Sequence, residues 1–481
     1  RVNSSGLVET VELLGSEEID NGDFASDLTG WTGYGTRSAT GGVATIGASA
    51  NSGIYQDALT NGLTYSVTIN VTSYDGVGSA QVANNNGNVI YTITTTGIQT
   101  FTFTHSIASG NLLIRGLSNA LFSLTNVSVK ESTKNNLARV DYDGTASSLL
   151  AEPQRTNLVI ESEDFSSWTS SSSTLVNSTT VVNPSGESSS GLFSVTSGSA
   201  TKFSYISVTT TSNLHSYSIF VKYSDVQFIQ LAGGGNGWYA NFDVQNGVLG
   251  NTNANSSIES FGNGWYKCVI TSTSSDTFSN AAVVIIDSST SARLSSTSEV
   301  GSVYIWGAQL EVGSYPTSYI PTDGTTVTRV QDQYEKTGIS NLINSTEGVL
   351  FLEFYAESDS TEKWITLSDG TGTNRVIVYI AASNTLRIYV QNSSGGQADL
   401  GVSITLGQFN KVAFKYKEND FALWLNGVEV ATDSSGGVPV GLNRLNFSAE
   451  SGTYNYFNGK VKQLQVYKTA LTDSELATLT T

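Results

Sequence analysis

The chain has 481 residues, a formal net charge of −18 and only 13% charged residues, with 47 glycines and one cysteine. Its length allows roughly two to four domains, and its richness in glycine, serine, threonine and asparagine indicates β-rich modules with many turns. The negative charge argues against nucleic acid as a partner, because phosphate binding depends on clusters of lysine and arginine. The lone Cys268 excludes an internal disulfide, and no apolar stretch is long enough for membrane insertion.

The first part of the chain predicts a leader at residues 1–15 and a β-module at residues 16–131. Apolar residues alternate with polar ones, as in a strand with one buried face, at Tyr65, Val67, Ile69 and Val71. The opening NGDF followed by Trp31, and the closing NVSVKE, resemble the jelly-roll domains of carbohydrate-binding modules. This resemblance implies an antiparallel β-sandwich.

A connector is predicted at residues 132–156, where polar turns surround Tyr142 and Pro153. The first pattern then returns, because TNLVIESEDFSSW parallels GSEEIDNGDFASDLTGW and SYSIFVKYSD parallels TYSVTINVTSYDG. Residues 157–315 are therefore interpreted as a second, longer jelly roll.

The second jelly roll ends in the stretch VYIWGAQLEVGSYPTSYIPTDGTTVTR, which predicts a closing strand and then a connector at residues 316–345. Pro316 and Pro321 remove backbone donors, so the strand cannot continue through them. The run WGAQLEVGSYPTSYIPT, with RVDYDGTASSLLAEPQRTNL at residues 139–158, resembles signatures in tail-fibre and other surface proteins of tailed bacteriophages.

The third module, residues 346–481, contains strand patterns separated by glycine, asparagine, aspartate and serine turns. Asn426 and Gly427 predict a tight type I′ hairpin, and Thr472 with Glu475 predicts a capping box at the start of a short helix. The final FNGKVKQLQVYKTALTDSELATL resembles the end of laminin-G and concanavalin-like domains. The predicted fold class is all-β, with three antiparallel β-sandwich domains in tandem and a laminin-G/concanavalin A-like domain last.

No catalytic motif stands out in the sequence. A GxSxG nucleophile elbow, an HExxH helix and a phosphate-binding loop are all missing. The acidic pairs Glu17–Glu18 and Glu161–Glu163 could supply an acid and a base for glycoside hydrolysis, but solvated surface carboxylates are the favoured interpretation. The protein is therefore predicted to be non-enzymatic.

Calcium is the one cofactor considered, although none is expected to be required. Jelly-roll sugar-binding modules often hold a structural calcium ion at the start of the first strand, through carboxylate and carbonyl oxygens. The resemblance implies four candidate ligands, with plain turn carboxylates as the alternative: Asp20, Asp23, Glu161 and Asp164.

Sugar recognition combines flat aromatic faces with amide and carboxylate groups that hydrogen-bond hydroxyls. The densest such cluster consists of Trp238, Tyr239, Asn236, Asn241 and Asp243, and the second consists of Tyr454, Tyr456 and Asn455. Core packing is the alternative, because alternate residues of a strand point inward. One of Trp238 and Tyr239 is accordingly expected to be buried.

The phage resemblance implies a virion surface protein, a tail or head fibre, that attaches to bacterial surface polysaccharide without cutting it. The expected assembly is a homo-oligomer, a trimer, that also contacts other virion proteins. A net charge of −18 favours neutral or weakly charged polysaccharide. One alternative is a secreted or surface-attached bacterial adhesin or enzyme accessory region, and another is a capsid decoration with a purely structural role.

Overall fold

The computed structural model describes residues 1–47, 49–84, 87–135, 137–357 and 361–481. The chain divides into two compact units, a smaller unit formed by Val11–Leu137 and a larger unit formed by Arg1–Thr10 with Ala138–Thr481. The predicted all-β class is confirmed, with one short α-helix at the C-terminal end. Across the described part of the chain, no helix has the length and apolar character needed to span a membrane.

The smaller unit is an antiparallel β-sandwich. Its strands are β1 (Leu13–Glu17), β2 (Thr32–Tyr34), β3 (Arg37–Thr40), β4 (Val43–Gly47), β5 (Asn51–Asp57), β6 (Thr64–Tyr74), β7 (Ser79–Asn84), β8 (Val89–Ile93), β9 (Gly97–Thr104), β10 (Asn111–Leu117) and β11 (Leu121–Thr133). One sheet has the order β3-β4-β11-β6-β9, with β1 also pairing with β11, and the other has the order β2-β5-β10-β7-β8. The alternating residues predicted to be buried, Tyr65, Val67, Ile69 and Val71, lie in the core between the sheets.

Strand β1 (Leu13–Glu17) begins inside residues 1–15, the segment predicted to be a leader. Its backbone pairs with β11, but all five of its residues are exposed, including Leu13 and Leu14. A strand that buries neither face produces no alternation, so the sequence pattern could not reveal it.

The larger unit begins with a hairpin and a second sandwich. The strands as far as residue 312 are β12 (Arg139–Asp143), β13 (Ala146–Ala151), β14 (Arg155–Asn157), β15 (Thr169–Ser171), β16 (Thr174–Ser178), β17 (Ser190–Val195), β18 (Lys202–Ser207), β19 (His215–Tyr223), β20 (Phe228–Gly233), β21 (Trp238–Asp243), β22 (Val248–Thr252), β23 (Asn255–Ser260), β24 (Trp265–Thr271), β25 (Asn280–Ile285) and β26 (Gly301–Val312). Sheets β15-β18-β25-β20-β21-β22 and β16-β17-β26-β19-β24-β23 form the second sandwich around one apolar core.

The third sandwich follows. The short strand β27 (Val327–Arg329) comes before it in the chain. The elements that follow are β28 (Glu335–Lys336), β29 (Glu347–Tyr355), β30 (Lys363–Ser368), β31 (Arg375–Ile380), β32 (Thr385–Asn392), β33 (Gly395–Ser403), β34 (Phe409–Lys417), β35 (Phe421–Leu425), β36 (Val428–Asp433), β37 (Arg444–Asn446), β38 (Gly459–Tyr467) and α1 (Asp473–Thr480). Its sheets are β12-β13-β38-β29-β34-β35-β36 and β28-β37-β30-β31-β32-β33, while β14 pairs with β27.

Two local predictions in the third sandwich are confirmed. The Thr472 hydroxyl accepts a hydrogen bond from the Glu475 backbone N–H, and the Glu475 carboxylate accepts one from the Thr472 backbone N–H, which completes the capping box. Asn426 and Gly427 both have positive φ, at 48° and 86°, as a type I′ turn requires. Helix α1 packs Leu476 against the outer face of the sheet that contains β34 and β35.

The two predicted connectors differ from the structure, because both contain strands of folded sheets. In 132–156, the hairpin β12–β13 extends a sheet of the third sandwich through pairing of β13 with β38. In 316–345, β28 pairs with β37. The buried residues of β12 are Arg139 and Asp141. A strand is recognised in a sequence by apolar residues at its buried positions, and β12 has charged residues there.

A buried cluster of charges joins these connector segments. The Glu152 carboxylate lies 2.7 Å from the Arg139 guanidinium and 3.2 Å from that of Arg329, and it also accepts hydrogen bonds from Ser318. Asp332 pairs with Arg139 from the other side and accepts the Glu152 backbone N–H. We call these five residues the Glu152 cluster. It joins both of the stretches that resemble phage fibre signatures.

Candidate functional site

One face of the third sandwich carries aromatic and polar side chains. Trp364 on β30 is paired with Tyr379 on β31, so their side chains lie on the same face of the sheet. Tyr379 is also paired with Arg387 on β32, and Tyr389, two residues further along β32, lies on that face too. The opposite face of these strands packs into the core through Ile365, Val378 and Ile388 among others. The rings therefore stand outward, half-buried, across neighbouring strands.

Arg375 holds two of these rings in place. Its guanidinium carbon lies 5.8 Å from the centroid of Trp364 and 5.9 Å from that of Tyr389. The guanidinium donates to the Glu450 carboxylate at 2.7 Å and to the Gln391 side-chain oxygen at 2.9 and 3.2 Å. A planar guanidinium fixed by several hydrogen bonds fixes the rings beside it, so the surface is preorganised.

The rim of this surface includes the second sugar-binding cluster predicted from sequence. Tyr454 is 44% exposed, and its ring centroid lies 6.0 Å from that of Trp364. The Tyr454 hydroxyl donates to Glu450 at 3.3 Å. Asn455 and the Trp364 indole N–H both donate to the Glu362 carboxylate, at 3.0 and 3.1 Å.

Tyr456, the other tyrosine of that cluster, is half-buried and forms an isolated bridge with Trp364. Its hydroxyl accepts a 3.4 Å hydrogen bond from the side chain of Gln333. The structure thus brings the whole predicted cluster beside Trp364. We call the surface formed by Trp364, Tyr379, Tyr389, Arg375 and Tyr454 the Trp364 face.

The sequence prediction included one of these five residues and missed the others. Arg375 and Tyr379 in NRVIVYIAA, and Arg387, Tyr389 and Gln391 in TLRIYVQN, alternate with apolar residues. This alternation places aromatic and charged side chains on one face of two adjacent strands, which is a signal available from the sequence. The position of Trp364 on this face depends on the order of the strands in the sheet, which the sequence pattern does not indicate.

The structure separates the members of the other predicted cluster, on β21. Trp238 lies in the core of the second sandwich, and its neighbour Tyr239 points to the opposite side of the sheet, half-buried. Asn241 is fully buried and donates to the backbone carbonyls of Ser289 and Ser291 at 3.1 and 2.7 Å. Its role in this structure is to hold the adjacent loop.

The two remaining members of that cluster are also engaged within the chain. Burial alone would raise the pKa of Asp243, but hydrogen bonds from Asn246 and Gln227 outweigh it and lower the pKa. Asn236 is exposed, and its backbone N–H donates to Asp276 at 2.8 Å. Of the five residues, Tyr239 offers its ring to an outer surface.

Tyr239 belongs to a second aromatic surface. Four residues on neighbouring strands are paired in register and form one row across the sheet, in the order Tyr205, Ala282, Ala232 and Tyr239. Two tyrosines thus stand on either side of two alanines, and Phe203 lies 5.9 Å from Tyr205, centroid to centroid. Ala282 and Ala232 are only 8% and 1% exposed, so the neighbouring side chains cover them. We call this packed aromatic surface the Tyr239 surface.

The predicted calcium ligands lie in two corresponding loops of the first and second sandwiches. Asp20 and Asp23 are exposed, and Asp23 accepts the backbone N–H of Ala25 at 3.2 Å. Hydrogen bonds from Asn177 and Ser166 to Asp164 lower its pKa. The backbone carbonyl of Glu161, another of the predicted ligands, accepts a hydrogen bond from the indole N–H of Trp168.

Of these four residues, Asp23 and Asp164 each have one carboxylate oxygen engaged by hydrogen bonds within the chain. Over the described ranges, no group of three or more His, Cys, Asp or Glu side chains is placed to hold a metal ion. Bound calcium stays a prediction.

Comparison with known proteins finds one family match, at residues 331–477, to a model described as the concanavalin A-like lectin/glucanases superfamily. A search of curated protein sequences finds no match. One similar structure is the Ruminococcus gnavus IT-sialidase CBM40 bound to α2,3-sialyllactose, 17% identical with a TM-score of 0.27, covering 31% of this chain and 98% of that one.

Two further structures are similar over longer parts of the chain. The CBM22-1–CBM22-2 tandem domain of Paenibacillus barcinonensis Xyn10C is 13% identical with a TM-score of 0.24, covering 64% of this chain and 99% of that one. Domains LG4-5 of the mouse laminin α1 chain are 10% identical with a TM-score of 0.20, covering 56% of this chain and 86% of that one. Through the family match, the predicted concanavalin A-like domain is confirmed, at residues 331–477.

Proposed function

We propose that this protein binds glycans reversibly through the Trp364 face. The observation that supports the proposal most strongly is the outward placement of Trp364 and Tyr389 on either side of an Arg375 guanidinium fixed by Glu450 and Gln391. The face also lies in the region that matches the concanavalin A-like lectin/glucanases superfamily.

The chemistry of the face suits a sugar ring. A pyranose presents C–H groups to an aromatic ring and hydroxyls to its edge, and the edge here carries Glu362, Asn455 and Gln391 as donors and acceptors. The Arg375 charge is paired with Glu450 at 2.7 Å, so the centre of the face is close to neutral. Neutral or weakly charged polysaccharide is therefore the proposed ligand, since the net charge of −18 repels anionic polymers.

We further propose that binding proceeds without cleavage of the glycan, in a protein displayed on the surface of a phage virion as a tail or head fibre. The support for this finer assignment is the sequence resemblance at residues 139–158 and 306–322. In the structure, these two stretches meet at the Glu152 cluster, so the resemblance covers a packed structural unit and more than a linker. A trimer that contacts other virion proteins is part of the same proposal.

Antibody labelling tests the virion assignment. An antibody raised against residues 331–477 should decorate fibres of intact phage particles in electron micrographs. Labelling of uninfected bacterial cells, with unlabelled particles, would instead support a bacterial adhesin.

Substitution of Tyr454 tests the glycan site. Tyr454→Ala removes a ring that is 44% exposed, so the fold should be retained while binding to the recognised polysaccharide weakens. Loss of one stacking face costs about 1 kcal/mol, which corresponds to roughly fivefold in affinity. The measurement is a glycan array followed by titration calorimetry with the glycan that binds.

Two control variants sharpen this comparison. Tyr454→Phe keeps the ring and removes the hydroxyl that bonds Glu450, so most of the affinity should remain. Val428→Ala truncates an exposed residue on β36, in the opposite sheet, and should leave affinity unchanged. Equal affinities for the Tyr454→Ala variant and the parent protein would count against the Trp364 face.

A further inference from the structure

One side of the smaller unit is formed by the last strands of its two sheets, β9 in one sheet and β8 in the other. The Tyr91 ring on β8 stacks on the Phe101 ring on β9, with centroids 4.4 Å apart and planes 3° apart, so the two strands lie beside each other. Two apolar side chains are well exposed here, Ile98 of β9 at 74% and Val89 of β8 at 49%. We call the side formed by β8 and β9 the β9 side.

Strand β9 is a long and regular edge strand. It has eight residues and pairs with β6 in one continuous register from Gly97 to Thr104. Its sequence, GIQTFTFT, contains neither a charged residue nor a proline. Soluble proteins normally protect an edge strand by charges, prolines, bulges or short length, because an unprotected edge pairs readily with another chain. The edge of β9 has none of these protections.

The opposite side of the same unit is protected. Its edge strands β2 and β3 have only three and four residues. The Arg37 side chain of β3 lies against Gly33 of β2 and donates a hydrogen bond to the Gly35 carbonyl at 3.0 Å. Strand β1, which also borders this side, has a register shift between Leu14 and Glu17 and carries a carboxylate. Short length, a shifted register and charge all discourage pairing with another chain.

The segment that forms the β9 side contains no charged residue. Between Asp75 and Arg115 the sequence has no Asp, Glu, Lys or Arg, and this run includes β7, β8 and β9. Copies of a chain with a net charge of −18 repel each other, so they approach most easily through a side without charges. The cores of protein interfaces are likewise depleted in charged residues. A basic partner would instead be drawn to an acidic surface, so the β9 side favours another copy of this chain.

We propose that copies of this chain pack against one another through the β9 side, which faces the three-fold axis of the trimer. The inference rests on the trimer in the proposed function and adds the surface that forms it. Threonine hydroxyls and backbone peptide groups both donate and accept hydrogen bonds, so identical strand edges are complementary to each other. Such pairs already join β6 to β9, where the hydroxyl oxygens of Thr64 and Thr104, and of Thr68 and Thr100, lie 2.9 Å apart.

Sedimentation velocity on the full chain at micromolar concentration tests the proposal. We expect the parent chain to form trimers. Both Ile98→Lys and Ile98→Glu should raise the dissociation constant of the trimer by at least about tenfold, because a charge of either sign is costly to remove from water. Ser38→Lys adds the same charge at an exposed position of β3, on the opposite side, and should leave the trimer unchanged.

The outcomes of this experiment separate the contact surface from the trimer itself. A trimer that persists in both Ile98 variants would overturn this inference and leave the proposed trimer standing. Weakening by Ile98→Glu together with strengthening by Ile98→Lys would show that overall charge controls assembly, and would also overturn it. A parent chain that stays monomeric would overturn both this inference and the proposed trimer, whereas glycan binding at the Trp364 face is measured independently.

Chemical cross-linking locates the contact without relying on affinity. Thr102→Cys places a thiol at an exposed position of β9, and the native Cys268 is fully buried and does not compete. A short bismaleimide reagent should link copies of this variant to one another, while the Ser38→Cys variant should stay unlinked. Linking through Ser38→Cys in place of Thr102→Cys would put the contact on the opposite side and overturn the proposal.

Discussion

Replacing Glu152 by alanine should lower the free energy of unfolding of the larger unit by about 3–5 kcal/mol, because Arg329 loses its carboxylate partner and buried Arg139 keeps one carboxylate partner out of two. Glu152, Arg139 and Asp332 are each no more than 7% exposed. Arg329 loses its contact with the Glu152 carboxylate, and the Ser318 N–H and hydroxyl lose their acceptor. The Glu429→Ala variant, truncated at an exposed position, should change stability by less than about 0.5 kcal/mol.

Chemical denaturation of both variants measures this difference, and limited proteolysis adds an independent readout. The hairpin β12–β13 and strand β28 are paired into the third sandwich. Proteolysis of the parent protein should therefore not release a stable fragment that begins near residue 340. Such a fragment, or a Glu152→Ala variant as stable as the parent, would contradict the structural role of the Glu152 cluster.

The stability of the larger unit should also depend on pH through this residue. Burial alone would raise the pKa of Glu152, but Arg329 and Arg139 outweigh it and hold the pKa below its ordinary value. A lowered folded-state pKa adds stability above the unfolded-state pKa, and that stability is lost as the pH falls towards the folded-state value. Below about pH 5, the parent protein should therefore lose stability more steeply than the Glu152→Ala variant.

The second prediction with a large effect is a difference in stability between alanine variants of two adjacent aromatic residues. Trp238→Ala should destabilise the second sandwich by about 3–5 kcal/mol, because the indole fills its core and is only 8% exposed. Tyr239→Ala should fold normally, because its ring lies half-buried on the opposite side of the sheet, at the Tyr239 surface. Thermal melts of both variants measure this contrast.

Glycan binding by the folded variant then tests whether the Tyr239 surface is a second sugar site. If Tyr239→Ala reduces attachment to host cells while the protein melts like the parent, the Tyr239 surface contributes to binding. If it binds like the parent, the predicted cluster at Trp238 and Tyr239 has no role in recognition.

Local sequence rules succeeded where one segment determines its own structure. The Asn426–Gly427 turn and the capping box of Thr472 and Glu475 depend on neighbouring residues alone, and both occur as predicted. The burial of one residue among Trp238 and Tyr239 follows from strand alternation in the same way.

Features that depend on distant segments could not be predicted. Strand β12 buries Arg139 because Glu152, just after the hairpin, and Asp332, far along the chain, neutralise it, so its polar sequence looked like a connector. The Trp364 face likewise combines β30–β32 with Glu450 and Tyr454, which follow about sixty residues after β32. Nothing in the sequence of either segment indicates that pairing.

A crystal structure of the full chain with the glycan identified on the array tests the central claim most directly. We predict a sugar ring in van der Waals contact with Trp364 and Tyr454, with hydroxyls hydrogen-bonded to Glu362 or Asn455. A glycan bound elsewhere in the third sandwich, with the Trp364 face open to solvent, would contradict the account.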